Sequence, residues 1–266
     1  MPSHRPRKRF GQNFLHDQNV LERIVAAAEI TDQDHLLEIG PGPGALTKRL
    51  LATDAPLLAI EIDRDLGVAL QQQESEKFKV VIGDVLKIDL APLLTDPPYK
   101  LIANLPYNIS SQILFKVLDH RQLFDRLVLM FQKEVGERLL AEPSSKEYGI
   151  ISVLMQTWYS IRRVTKVPPG AFRPAPKVDS VVLCLDPLQT PRVELRDDGL
   201  YRRLVRGAFA QRRKTLRNSL LGSGWSPESL DAALMRAEID PGRRGETLSI
   251  EEFACLANIL ATEGDV

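Results

Sequence analysis

His35-Leu36-Leu37-Glu38-Ile39-Gly40-Pro41-Gly42-Pro43-Gly44-Ala45-Leu46-Thr47 decides how this chain folds. Residues 35–39 read as a buried strand, 40–44 as a sharp turn, and 45 onward as a helix running to about Ala52. Strand, glycine-rich turn and helix, in that order, are the opening step of a nucleotide-binding α/β unit. The spacing is G-x-G-x-G rather than the G-x-G-x-x-G of dinucleotide folds, and two prolines stiffen the loop. Such a loop suits close backbone approach to a ligand without phosphates better than the wrapping of a pyrophosphate.

Further apolar runs follow at α/β pitch. Leu57–Ile60 ends at Glu61, Phe78–Ile82 leads into Gly83-Asp84, Leu101–Ala103 leads into Asn104-Leu105-Pro106-Tyr107, and Arg126–Phe131 leads into Gln132. Strands alternating with helical stretches predict a parallel sheet covered on both faces. Asp17 reads as the N-cap of an early helix with Val20, Leu21, Ile24, Val25 and Ala28 on its apolar side. Tyr148–Tyr159 reads as a helix, and Ile161–Val167 and Val178–Leu185 as strands. Composition changes after Asp186, and from Leu200 onward the pattern is helical. The expected organisation is an α/β domain over 1–186 with a basic arm at 1–10, a linker at 187–195, and a small all-helical C-terminal domain over 196–266.

The polar residues cluster where the strands end. Glu61 lies 21 positions past Gly40, close to the distance at which an acid meets ribose hydroxyls. Asp63 is then the helix cap. Asp84 is placed to accept from an adenine amino group, or to serve as a turn residue. In Asn104–Tyr107, the Asn104 amide oxygen and the Leu105 carbonyl, held by Pro106, offer two acceptors for an exocyclic amine, and Tyr107 offers a flat face. The alternative for these four residues is an ordinary strand-ending turn with a packed tyrosine. The Pro168–Pro176 loop is stiffened by four prolines and presents Phe172 and Arg173, with Lys177 nearby. Phe172 reads equally as a base-stacking surface or as a core residue. Methyl transfer suits the set: the sulfonium of S-adenosylmethionine is already activated, so the protein must chiefly align the nucleophile. Stacking on Tyr107 and Phe172 would hold a flipped base at roughly 1–3 kcal/mol each.

Composition bounds the partners. The 35 basic and 35 acidic residues cancel, so distribution matters rather than net charge. Arg202, Arg203, Arg206, Arg212, Arg213, Lys214 and Arg217 fall between Tyr201 and Arg217 with no acid among them. Arg202, Arg206, Arg212, Arg213, Lys214 and Arg217 are taken as the RNA-backbone set. Arg5, Arg7, Lys8 and Arg9 form a basic arm with no apolar stretch behind it, unlike a secretory signal. No apolar run approaches membrane-spanning length. The four histidines show no ligand spacing, so no metal is expected. Cys184 and Cys255 lie in apolar segments and are expected to be buried thiols in a reducing cytoplasm.

Taken together, GQNFL at 11–15, EIGPGPGALT at 38–47, GD at 83–84, NLPYNIS at 104–110, QKEV at 132–135, PPGAFRPAPKVDS at 168–180 and QRRKTLRNSL at 211–220 resemble the family of bacterial small-subunit (16S) rRNA adenine N6,N6-dimethyltransferases, KsgA/RsmA. The resemblance covers nearly the whole chain. It implies a Rossmann-like S-adenosylmethionine-dependent methyltransferase domain with a helical C-terminal domain. It further implies dimethylation of N6 of two adjacent adenosines near the 3′ end of 16S rRNA in a pre-30S particle, by a cytoplasmic, metal-free monomer with a role in subunit biogenesis. By position, Asn13, Leu15, Gly40, Glu61, Asp84 and Asn104 look like the cofactor-contacting set, with Asn104 shared with the target base. Tyr107 and Phe172 look like the base-stacking pair. Two alternatives remain: a 23S rRNA adenine methyltransferase, against which QRRKTLRNSL argues, and an inactive or weakly active ribosome-assembly factor on the same fold.

Overall fold

Short apolar runs bounded by turn residues become the strands. In the computed structural model, which describes residues 12–263, they are β1 (Phe14–Leu15), β2 (His35–Ile39), β3 (Leu57–Glu61), β4 (Phe78–Ile82), β5 (Tyr99–Asn104), β6 (Phe124–Gln132), β7 (Tyr159–Val167), β8 (Phe172–Arg173) and β9 (Ser180–Pro187). The helices are α1 (Gln18–Ala28), α2 (Thr47–Leu50), α3 (Arg64–Gln71), α4 (Ser110–Asp119), α5 (Lys133–Leu139), α6 (Ile150–Trp158), α7 (Asp198–Phe209), α8 (Leu216–Leu221), α9 (Pro227–Arg236) and α10 (Ile250–Glu263). The basic arm and Gly11 lie outside the described residues.

Seven strands form one sheet in the order β4-β3-β2-β5-β6-β9-β7. The pairs from β4 to β6 are parallel, and β9 is antiparallel to β6. Successive residues Leu36 and Leu37, and again Leu101, Ile102 and Ala103, are all 0% exposed. Neighbouring residues on a strand face opposite sides, so both faces of the sheet are covered, as a parallel sheet requires. The chain adds β3 and β4 on one side of β2 and then crosses to place β5 on the other. That reversal opens a crevice at the carboxyl ends of β2 and β5, where sheets of this kind bind ligands.

By packing, the described residues divide into two compact units. One runs to Gly136 and includes Ser160–Pro187; the other comprises Glu137–Tyr159 and the residues from Leu188 on. The sequence suggests a single break near 187–195, whereas residues 137–159 group here with the C-terminal helices. The Thr157 hydroxyl lies 2.9 Å from that of Tyr201 on α7, and the rings of Tyr148 and Phe209 meet edge-on at 6.1 Å. In the first unit Asp17 caps α1, accepting from Val20 N at 3.1 Å. Cys184 is buried as expected, but Cys255 is exposed. On α10 the buried positions include Ile250, Phe253, Ala254, Leu256, Ala257 and Leu260, and the helical period leaves 255 on the other side. No helix among the described residues is long and apolar enough to cross a membrane.

Candidate active site

The glycine loop takes its shape from residues that no side chain would suit. Gly40 and Gly42 have φ of +68° and +58°, the left-handed region that glycine enters without a steric penalty. A Cβ on Gly42 would stand 3.0 Å from the Phe14 ring, so the loop and the segment crossing it are closely packed. Gly40 N donates to Ile60 O at 2.9 Å, tying the loop to the end of β3. Gly42 N donates to Glu61 Oε2 at 2.9 Å, and Asp63 N donates to Oε1 at 2.8 Å. Glu61 is therefore aimed by two backbone amides. It is 3% exposed, and burial pushes its carboxyl above the usual range while those amides pull it back. Beneath the loop, Glu38 accepts from the Thr47 hydroxyl at 2.7 Å. Burial, with Glu61 as a like charge, raises Glu38 to about 8.

Across the crevice, β5 ends at Asn104. Its Nδ2 donates to the Asn13 carbonyl at 3.1 Å. Among the described residues this leaves Oδ1 as the amide atom open to accept from a ligand. The turn after it is braced: Ile109 N donates to Pro106 O at 3.2 Å, and Ser110 Oγ donates to Tyr107 O at 3.2 Å. The Tyr107 hydroxyl lies 2.6 Å from Ser180 Oγ. Asn13, Gly40, Gly42, Glu61, Asn104 and Tyr107 line one cleft, with Leu105 and Pro106 beside them.

Gln12, Phe14 and Ile62 also line it, and sequence reasoning did not single them out. The signals were present: Gln12 and Phe14 belong to the 11–15 motif, and Ile62 directly follows Glu61. Residues 12–16 cross the mouth of the cleft because β1 pairs antiparallel with β8, with Leu15 opposite Phe172 and Phe14 opposite Arg173. Gln12 Nε2 further donates to Asp63 Oδ2 at 3.1 Å. Leu15 is buried and borders an adjoining hollow with Glu38, Gly40 and Asn104.

Two expected site residues stand elsewhere. Phe172 is 2% exposed and packs in the core cluster with Leu15, Leu21 and Ile24. The strand alternation of β8 turns it inward and Arg173 outward, so in this arrangement Phe172 anchors the loop and its face is not open to a base. Asp84 does not line the cleft; its carboxylate accepts from Leu86 N at 3.0 Å and closes its own turn. Asp63 is the cap of α3, as expected, accepting from Asp65 N.

In the second unit the basic set is divided by pairing. Arg202 bridges Asp198 at 3.1 Å, and Arg217 makes a two-pronged pair with Asp231 at 2.6 and 2.7 Å. Arg212 bridges Glu246 at 3.4 Å and donates to the Lys146 carbonyl. Arg206 is exposed. Arg213 and Lys214 are exposed and have no ion-pair partner among the described residues.

Comparison with known proteins bears on this geometry. The family profile described as "Ribosomal RNA adenine dimethylase" matches residues 3–262. A protein of Syntrophotalea carbinolica named "Ribosomal RNA small subunit methyltransferase A" is 63% identical over 258 residues, covering 97% of this chain and 98% of that protein. Among solved structures, a dimethyladenosine transferase from Plasmodium falciparum aligns with a TM-score of 0.78 at 28% identity, covering 91% of this chain and 95% of that one. The 23S rRNA methyltransferase ErmE aligns with a TM-score of 0.69 at 26% identity, over 94% of this chain and 100% of that one.

Proposed function

The chain belongs to the ribosomal RNA adenine dimethylase family, and from that premise we propose that its targets are two adjacent adenosines near the 3′ end of 16S rRNA, in a small-subunit particle. The activity is S-adenosylmethionine-dependent dimethylation of rRNA adenine at N6. The small-subunit target is supported by the name and 63% identity of the Syntrophotalea carbinolica relative. Regions 1–186 and 196–266 take the catalytic and rRNA-binding parts. The protein works as a cytoplasmic, metal-free monomer.

The donor set fits the cofactor. A buried carboxylate fixed by two amides suits a pair of ribose hydroxyls, and a Cβ on Gly40 would meet nothing nearer than Pro106 at 3.8 Å, so the loop leaves room for close approach. When bound, S-adenosylmethionine supplies an activated methyl group that needs no further activation by the protein. Glu61, Gly40, Asn13 and Leu15 hold the cofactor. Asp84, though outside the cleft, belongs to the same proposed set through the turn after β4. Asn104 Oδ1 and the Leu105 carbonyl accept the two hydrogens of the adenine amine. This draws the nitrogen lone pair out of the ring and orients it for attack. Tyr107 carries the flipped base on its face. Arg213 and Lys214 meet rRNA phosphates.

The observation that carries this reading is the common cleft of Asn104, Glu61 and the glycine loop. The test is nucleoside mass spectrometry after incubating the protein and S-adenosylmethionine with small subunits lacking the modification, with large subunits alongside. N6,N6-dimethyladenosine in the small subunit alone is the expected result. Product in the large subunit would overturn the target. Binding without any product would move the protein to a subunit-assembly role.

A further inference from the structure

We propose that Ser180 is a positioning residue for methyl transfer: its hydroxyl holds the tip of the Tyr107 phenol, so that the ring face stays turned to the target base. This rests on the reading of Tyr107 as the surface on which that base is carried. Ser180 opens β9, far from the Asn104–Tyr107 turn in sequence, and stands in register with Gln132 of β6. Directly before it, Asp179 O accepts from Lys133 N at 2.9 Å, so the backbone is fixed on both sides of the serine. The side chain is 1% exposed. A hydroxyl so deeply buried requires a partner, and its partner is the Tyr107 hydroxyl at 2.6 Å.

The result is a tyrosine held at its backbone and at its phenol tip. Ser110 Oγ on α4 holds the Tyr107 carbonyl, and Ser180 holds the phenol oxygen. Between these points the ring has little freedom to swing about its side-chain torsions, and it lines the cleft beside Asn104. The phenol oxygen is occupied at β9, so Tyr107 meets its ligand through the ring face rather than through its hydroxyl. Burial also pushes the phenol pKa up, so the hydroxyl stays neutral and able to share this hydrogen bond. A base carried on a fixed ring presents its amine to Asn104 at a defined angle; a loose ring would spread that angle and lower the rate of the chemical step.

The experiment is a double-mutant cycle on Ser180→Ala and Tyr107→Phe, assayed on unmodified small subunits with S-adenosylmethionine titrated separately. Each single change cuts the same hydrogen bond from one side, and the phenylalanine variant keeps the ring if the alanine variant folds poorly. Expected are a fall in kcat of about fivefold to tenfold for either change, with the KM for subunits and cofactor affinity within about twofold of the parent. The double variant then matches a single one. A Ser180→Ala variant with parental kcat, or losses that multiply in the double variant, would overturn the proposal. So would a loss that appears only in cofactor affinity. A parent protein that forms no dimethyladenosine overturns the functional reading and this proposal with it, an outcome distinct from an active parent with an indifferent variant.

Discussion

Asn104 and Glu61 reach the cleft from the ends of β5 and β3, on either side of β2, and each is aimed by backbone groups. For Asn104, Oδ1 is the atom through which it acts, with Nδ2 engaged by the Asn13 carbonyl. Asn104→Ala is expected to lower single-turnover methylation by about 100-fold or more, the usual range for losing one preorganised polar group. Cofactor binding, measured by direct titration, stays mostly intact. Glu38 carries a second, separable prediction. Its folded pKa of about 8 lies above the ordinary value of 4.5, so the folded protein holds this proton more tightly than the unfolded chain does. The stability it contributes is complete below pH 4.5 and is lost as pH rises to about 8, with a slope approaching about 1.4 kcal/mol per pH unit. Glu38→Gln keeps the bond from Thr47 and should flatten that slope; denaturant unfolding across this pH window reads it directly. Phe172 marks the limit of reading single residues. An aromatic among prolines has no periodicity to say which way it faces, and the β1–β8 pairing turned it inward.

Longer elements were legible in proportion to their pattern. His35–Ile39 and Phe78–Ile82 are strands at the residues the sequence indicates, and the stretch from Leu200 on, read as helical, carries α7 to α10 and no strand among the described residues. The two-residue strands β1 and β8 were not legible, because two residues carry no repeat and their partners are far apart in the chain. They nonetheless bring residues 12–16 across the cleft. That close packing makes Gly42 sensitive. Gly42→Ala places a Cβ in a left-handed backbone and 3.0 Å from Phe14. It should cost about 1–2 kcal/mol of stability, read by denaturant unfolding, and should weaken S-adenosylmethionine binding in titration by displacing residues 12–16. Unchanged affinity with lowered stability would separate the packing of residues 12–16 from cofactor binding.

For the molecule as a whole, net charge is zero, so any attraction to RNA comes from where the unpaired charges lie. The seven basic residues from Arg202 to Arg217 have no acid among them in sequence, yet Arg202, Arg212 and Arg217 each meet an acid from outside that stretch. Arg203 stacks on Trp225 at 4.5 Å. Exchanging both Arg213 and Lys214 for Gln is expected to weaken small-subunit binding and to reduce the log–log salt slope by about 0.7–0.9 for each phosphate no longer neutralised. Arg217→Gln, with its charge already matched by Asp231, should change the slope much less. Equal slopes for all variants, measured by filter binding across a salt series, would mean that this face is simply solvated.

The sequence by itself determined the α/β class, the strand ends that carry chemistry and the family to which the chain belongs. Each of these is written in local order: apolar runs of strand length, glycine and proline at the turns, and short motifs whose residues are neighbours in the chain. Tertiary structure decided what depends on partners distant in sequence. It put Phe172 in the core, bound Ser180 to Tyr107, laid residues 12–16 over the glycine loop and neutralised half of the expected basic set. It also grouped residues 137–159 with the C-terminal helices. An apolar stripe such as that of Ile150–Trp158 requires burial but does not name the surface that buries it, and a charge does not announce its counterion. Those choices are made when non-local segments meet and exclude water together.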